Sequence, residues 1–363
     1  MVEWLAGNRI IGTTAERPTA SLQSPNVGGW KELDRNKIGT TGDTISVTSL
    51  DNKRYYMVLT SAKASGTLYP EVELNGDTGN NYSFRRTING GTSGSPNGGN
   101  NGGQYTALFP SNTDVANTET YFSVDYLSNL SGKEKLAISQ DVLSEASGAG
   151  YAPSRQQFGA KWVPSTASDV INRIDRSEYG SGEYLSGSEV VVLGWDPTDT
   201  HTDNFWEELY SNQLSTNNQE FSTGTISAKK YLWLQFYQQG HTGNSYLKFN
   251  SATGYSRRHS INGAADANIL SQSQLTNVLT GGTGDSQSFT NMFIINDSSK
   301  EKLCIFDTVF NAGSTTGAGN APQKITGACK WANTTDSITS VQVTDNGGAG
   351  FDTGSFLKIW GSD

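Results

Sequence analysis

The chain repeats itself, and that repeat limits its fold more than any other feature of its 363 residues. Lys53-Arg54-Tyr55-Tyr56-Met57-Val58-Leu59 has a partner in Lys229-Lys230-Tyr231-Leu232-Trp233-Leu234-Gln235, an offset of 229 − 53 = 176. Trp30-Lys31-Glu32-Leu33 and Trp206-Glu207-Glu208-Leu209 keep that offset. Residues 75–89, with Tyr82-Ser83 and Arg85-Arg86, answer residues 250–262, with Tyr255-Ser256-Arg257-Arg258. Residues 131–138 answer residues 298–305, now at 298 − 131 = 167. Lys161-Trp162 answers Lys330-Trp331, and Tyr184-Leu185-Ser186-Gly187-Ser188 answers Phe351-Asp352-Thr353-Gly354-Ser355. Six collinear matches identify a tandem duplication, so the two halves should share one fold. The drifting offset falls in Gly/Asn-rich stretches such as residues 91–103, where loops tolerate length changes. The expected modules are residues 30–196 and 206–363, joined by a short linker at 197–205. Residues 1–29 have no counterpart; polar after Ile11 and carrying Pro18 and Pro25, they read as an extended arm lying on a neighbouring surface.

Within each copy the apolar spacing is two. Ile45 and Val47, Val72 and Leu74, Phe122 with Val124 and Tyr126, Leu136 and Ile138, and Phe158 with Ala160 and Trp162 all alternate with polar residues. This pattern predicts half-buried antiparallel strands with one polar face. Val190-Val191-Val192-Leu193 does not alternate and reads as a strand covered on both faces. The 41 Gly punctuate many short strands, while 8 Trp, 15 Tyr and 14 Phe supply the burial that a 34% apolar fraction otherwise withholds. The expectation is an all-β protein of two tandem jelly-roll-like sandwiches with an extended N-terminal arm.

A net charge of −9 speaks against a nucleic-acid partner, because neutralising phosphates takes clustered Lys and Arg. No apolar run is long enough for a membrane span, and Met1-Val2-Glu3-Trp4 does not open like a secretory signal. Synthesis in a cytoplasm is expected, which leaves the sequons at Asn81 and Asn333 without weight.

Candidate chemistry is sparse. Gly91-Thr92-Ser93-Gly94-Ser95-Pro96 resembles the nucleophile segment of chymotrypsin-like proteases, but no His precedes His201 and the second copy lacks the segment. A Gly-rich loop is the better reading. His201, His241 and His259 have no zinc-ligand spacing. Asp196-Pro197-Thr198-Asp199-Thr200-His201-Thr202-Asp203 places oxygen ligands at alternate positions like a calcium loop, yet in an EF-hand beginning at Asp199 the residues Asn204 and Tyr210 stand where Gly and Glu are needed, so a solvated linker is expected. Asp77 sits in Asn75-Gly76-Asp77-Thr78-Gly79, ordinary turn chemistry. Cys304 and Cys329 align with Ala137 and Ala160, as small core residues or as a disulfide between neighbouring strands. Arg85-Arg86 and Arg257-Arg258 suit loop capping, pairing across a subunit contact, or solvated strand ends. No duplicated catalytic carboxylate pair is visible, so no enzyme, cofactor or metal is expected.

Two stretches, Val72 through Ser83 and the closing pattern of Trp331, Phe351, Gly354-Ser355 and Ile359-Trp360-Gly361, resemble a module of structural proteins in tailed bacteriophages and related environmental viruses. The first copy keeps the closing pattern as Tyr184, Gly187-Ser188 and Val191-Val192-Leu193-Gly194. The resemblance implies a virion component of capsid, spike or tail, with self-assembly, other particle proteins and a host-surface glycan as partners, and carries no catalytic residues. A glycan-binding module, or a cellular surface-layer or filament subunit, stands as the alternative.

Overall fold

The computed structural model describes residues 3–4, 10–11, 29–91, 105–111, 119–166, 169–197, 199, 203–240, 245–276, 278–279, 287–311 and 319–363. Among them there is no helix. The arm contributes β1 (Glu3–Trp4) and β2 (Ile10–Ile11), whose backbones pair antiparallel, so its first residues turn back on themselves instead of running straight. The rest of the arm lies outside the described residues.

The first module contains β3 (Lys31–Lys37), β4 (Ile45–Val47), β5 (Tyr55–Lys63), β6 (Pro70–Leu74), β7 (Tyr82–Ile88), β8 (Thr120–Ser128), β9 (Lys135–Leu143), β10 (Ser154–Trp162), β11 (Ile174–Glu178) and β12 (Glu189–Trp195). The second contains β13 (Glu207–Gln213), β14 (Glu220–Ser222), β15 (Tyr231–Gln239), β16 (Ser245–Phe249), β17 (Tyr255–Ile261), β18 (Ala267–Gln272), β19 (Leu275–Thr276), β20 (Gln287–Ile295), β21 (Lys302–Phe310), β22 (Gln323–Trp331), β23 (Val341–Asp345) and β24 (Phe356–Ser362). Each module is an antiparallel sandwich of one large and one small sheet. The large sheets run β3-β12-β5-β8-β9-β10-β7 and β13-β24-β15-β20-β21-β22-β17-β18; the small ones run β4-β11-β6 and β14-β23-β16-β19. Strand for strand the two orders coincide, with β18 and β19 as additions. Even β19 has a trace in the first module, where Leu108 bridges Val72 as Leu275 pairs with Leu247.

Asparagine turns set several connections. Asn75-Gly76, Asn89-Gly90 and Asn262-Gly263 all take positive φ at both residues, the conformation of tight hairpin turns that Asn and Gly tolerate best. Asn75 and Asn250 each accept hydrogen bonds from the backbone leading into the small sheet, from Asn172 and Thr339 respectively, both at 2.9 Å. Trp162 and Trp331 are both buried and stack on Tyr82 and Tyr255 at ring separations of 6.3 and 6.4 Å.

Three cores result. One lies inside each sandwich, and a third lies between the two large sheets. Strand alternation divides residues among them. In β12, Val190 and Val192 enter the first module's own core while Val191 and Leu193 enter the shared one. In β15, Leu234 and Phe236 go inward and Tyr231 and Trp233 go to the seam. The molecule is therefore a four-layer stack of small, large, large and small sheets.

The shared core overturns one expectation about facing. Phe122 and Val124 do not line their own sandwich; they line the seam, and Ser123 and Asp125, the supposed solvent face, are buried. Leu136 and Ile138 do not reach a core at all and are 59% and 60% exposed. Alternation reports that two faces differ, but a strand with apolar material beyond both faces has no solvent side to mark which is inward.

Candidate functional site

Between the sheets of the first module sits a polar cluster unlike its counterpart. Arg176 on β11 reaches across the sandwich to the Asp125 carboxylate on β8 and donates to Ser123 at 3.0 Å. Ser139 donates to the other Asp125 oxygen at 2.6 Å. Tyr121 lies 3.4 Å from Asp141, and Gln156 donates to Ser111 at 2.7 Å. Burial, reinforced by the neighbouring Asp125 charge, pushes the Asp141 carboxyl up to about 8. At the equivalent places the second module holds Met292 for Asp125, Phe306 for Ser139, Ile325 for Gln156 and Val343 for Arg176. This exchange of polar for apolar residues was legible by comparing the copies, and periodicity within one copy missed it. Arg176, Asp125 and Asp141 are nearly sealed from solvent, so no substrate touches them; they tie the large sheet to the small one.

The seam between modules has a built polar frame around its apolar centre. The loop joining β9 to β10 leans over the second module and is held there by its carbonyls. Lys330 donates to Ser144 O and Ala146 O, both at 2.8 Å, and to Glu301 at 3.1 Å. Glu301 in turn accepts from the Gly148 amide at 2.6 Å. Ser256 donates to Tyr151 O at 2.7 Å and Arg258 to Pro153 O at 2.8 Å. Desolvation lowers the Lys330 pKa despite Glu301, the signature of an ammonium taken out of water. Arg155 forks onto Asp266 at 2.6 and 2.9 Å, beside Gly90, where a Cβ would lie 1.9 Å from an Asp266 carboxylate oxygen. Glu189 receives Lys230 and, at 3.0 Å, the Tyr231 hydroxyl. Burial opposes the Glu189 charge, but the hydrogen bonds from Lys230 and Tyr231 and the charges of Lys230 and Arg35 together outweigh it and hold the carboxyl below its ordinary value. Gln140 donates to Asp307, its own equivalent in the second copy, at 2.7 Å. Such an arrangement is an association surface; its chemistry is recognition of strands and loop carbonyls.

The sequence candidates fall elsewhere. Ser93, His201 and His241 lie outside the described residues. His259 is buried on β17, and desolvation, aided by Arg257, lowers it to about 4. Asp199 is not free in a solvated linker: it pairs with Lys53 at 2.5 Å and accepts from the Asp196 amide at 2.8 Å. Phe205, the last linker residue, is buried in the seam. Burial raises the Asp77 carboxyl, but hydrogen bonds from Trp162 at 2.8 Å, from Asn81 and from the Gly79 amide win, leaving it below its usual range. Its role is to close the turn and anchor Trp162. Cys304 and Cys329 are free thiols, buried and opposite one another across β21 and β22. Of the arginines, Arg86 donates to the loop carbonyl of Pro110, Arg257 donates to the carbonyl of Thr276 at the end of β19, Arg258 spans the seam, and Arg85 is exposed.

No family model matches the chain, and no curated protein does. Among solved structures, domains LG4-5 of the mouse laminin α1 chain align over 94% of this chain and 93% of that one, at 9% identity and a TM-score of 0.17. The two C2 domains of Extended-Synaptotagmin 2 align over 86% of this chain and 93% of that one, at 6% identity and a TM-score of 0.15. Both similarities are too low to carry an argument.

Proposed function

We propose that the chain is a structural subunit of a virus particle, of the kind its sequence resembles, that works by assembling with copies of itself and with other particle proteins. The observation that carries this reading is the seam: one duplicated module associates with its sister through a broad apolar sheet face ringed by buried ion pairs and loop-carbonyl clamps. A module that docks on its own duplicate through an apolar sheet face shows that this sandwich makes stable sheet-to-sheet contacts, the kind of contact by which particle subunits assemble. The acidic surface charge suits a particle exterior more than a genome-facing interior. Mass spectrometry of purified particles tests the reading: the chain is expected in stoichiometric amounts, and its absence from particles sinks the proposal. A surface-layer or filament subunit would use the same surfaces, and recovery of the chain from the cell envelope instead of particles would mark that alternative.

A further inference from the structure

The chain has 2 cysteines among its 363 residues, and they face each other. Cys304 on β21 is the direct cross-strand partner of Cys329 on β22, and both side chains are sealed in the second module's own core, where the Cys304 thiol hydrogen-bonds with that of Cys329. A residue in a sheet has at most two direct cross-strand partners, so two cysteines scattered over this chain would meet in this way in only about 2 of every 362 placements. The duplication does not supply the pair. The equivalent residues of the first module are Ala137 and Ala160, which also oppose one another, across β9 and β10. A methyl group is all that the packing of these two places asks for, and the second module holds a thiol at both.

The geometry suits a bond between them. Opposed residues of antiparallel strands have Cα atoms about 4.5–5.5 Å apart, inside the span of about 4.4–6.8 Å that a disulfide bridges. The pair also sits directly behind the seam. Leu303 and Ile305 flank Cys304 on β21 and enter the shared core; Ala328 and Lys330 flank Cys329 on β22, the first in the shared core and the second clamping the carbonyls of Ser144 and Ala146. In the first module the same two strands leave Leu136 and Ile138 exposed, and there the opposed pair is alanine. The strand pair that bears the seam is the one that carries the thiols.

We propose that Cys304 and Cys329 close a disulfide that staples β21 to β22 behind the seam, formed by exchange with a small disulfide such as glutathione disulfide while the second module is open. One cysteine thiolate attacks a sulfur of glutathione disulfide, whose S–S bond breaks and releases one glutathione thiolate. The other cysteine thiolate then attacks the cysteine sulfur of the mixed disulfide and expels the second glutathione. The two cysteines are oxidised, glutathione disulfide is reduced to two thiols, and the two cysteine protons end on them. Burial sets the timing. Desolvation pushes the Cys304 thiol well above its ordinary range, so the closed module holds almost no thiolate and admits no oxidant. The same burial shields the finished bond from reductants. This inference stands apart from the particle reading and shares no test with it.

The full chain is refolded from urea in glutathione buffers stepped from reduced to oxidised, alkylated in denaturant, weighed intact and mapped by peptide mass. In reduced buffer the chain is expected to take up two labels; in oxidised buffer it should take up none and yield a peptide pair joining Cys304 to Cys329 of the same chain. Folded, reduced chain placed in the oxidised buffer without urea should oxidise at least about tenfold more slowly than the refolding chain. The oxidised chain should unfold at higher urea than the reduced one. The Cys304→Ala, Cys329→Ala double variant, which copies Ala137 and Ala160 of the first module, should unfold alike in both buffers. Two labels retained at every buffer ratio, or cysteines joined between chains instead of within one, overturns the disulfide. Oxidation of the folded chain as fast as during refolding overturns the dependence on opening, and a bond that leaves the urea midpoint unchanged overturns the staple.

Discussion

At the scale of single residues, equivalence in sequence does not mean equivalence in energy. Trp162 and Trp331 are matched in burial and in their stacked tyrosines, so truncating either to Ala should cost about 3–5 kcal/mol in urea unfolding. Lys161 and Lys330 are matched in sequence only. Lys161→Ala removes a surface pair and should cost about 0–1 kcal/mol. Lys330→Ala strands the buried Glu301 and the Ser144 and Ala146 carbonyls, and should cost about 3–5 kcal/mol. Equal losses for the two lysines would mean that the seam does not exist in solution. Asp141 gives a pH test. Its carboxyl titrates near 3.8 when unfolded and is pushed to about 8 when folded, so the folded state holds the proton longer. The stability this proton supports is full below about 3.8 and is lost as pH rises toward 8. Asp141→Asn should flatten the fall in melting temperature across that window; a wild-type slope retained by the variant would assign the dependence to other groups.

At the scale of elements, the alternating strands were readable and their inward faces were not. Ile45, Val47, Val72, Leu74, Phe158 and Trp162 lie in their module's own core, as their spacing predicts. Phe122, Val124, Leu136 and Ile138 have the same spacing and lie elsewhere: the first two go to the seam, where a second large sheet buries the outer face of the first, and the last two lie on that outer face where no described residue covers it. The unbroken run Val190-Val191-Val192-Leu193 was the one local sign of this, and β12 does supply both cores. Val191→Asp therefore places a carboxylate in the seam while leaving the first sandwich's interior untouched. It is expected to lower the melting temperature and raise protease sensitivity at the loop joining β9 to β10; limited proteolysis with mass mapping reads this directly. Cleavage at that loop unchanged from the wild type would show that β12 faces solvent on that side.

At the scale of the whole molecule, the shared core couples the modules. Calorimetry is expected to show one unfolding transition with calorimetric and van't Hoff enthalpies in agreement, because unfolding either module exposes the apolar face of the other. Two resolved transitions would mean that the modules are independent beads on a linker. Deleting residues 2–26 should leave that transition unchanged and weaken assembly if the arm works on a neighbouring chain. Loss of the first module's transition on deletion would make the arm an intrinsic part of that sandwich.

The sequence by itself determined the duplication, the strand-rich class and that both copies share one fold, because these depend on repeated residues and period-two spacing, both local in the chain; the strand order itself came only with the structure. The tryptophan anchors were visible because they repeat, as Lys161-Trp162 and Lys330-Trp331, whereas Asn75 read as turn chemistry and the hydrogen bond it accepts from the backbone entering the small sheet came only with the fold. Only the tertiary structure decided which apolar face meets which surface. Leu136 and Leu303 are the same residue in the same local context, one exposed and one buried, and the difference lies entirely in what packs above them. Burial is a property of neighbours distant in the chain, and no local pattern encodes it.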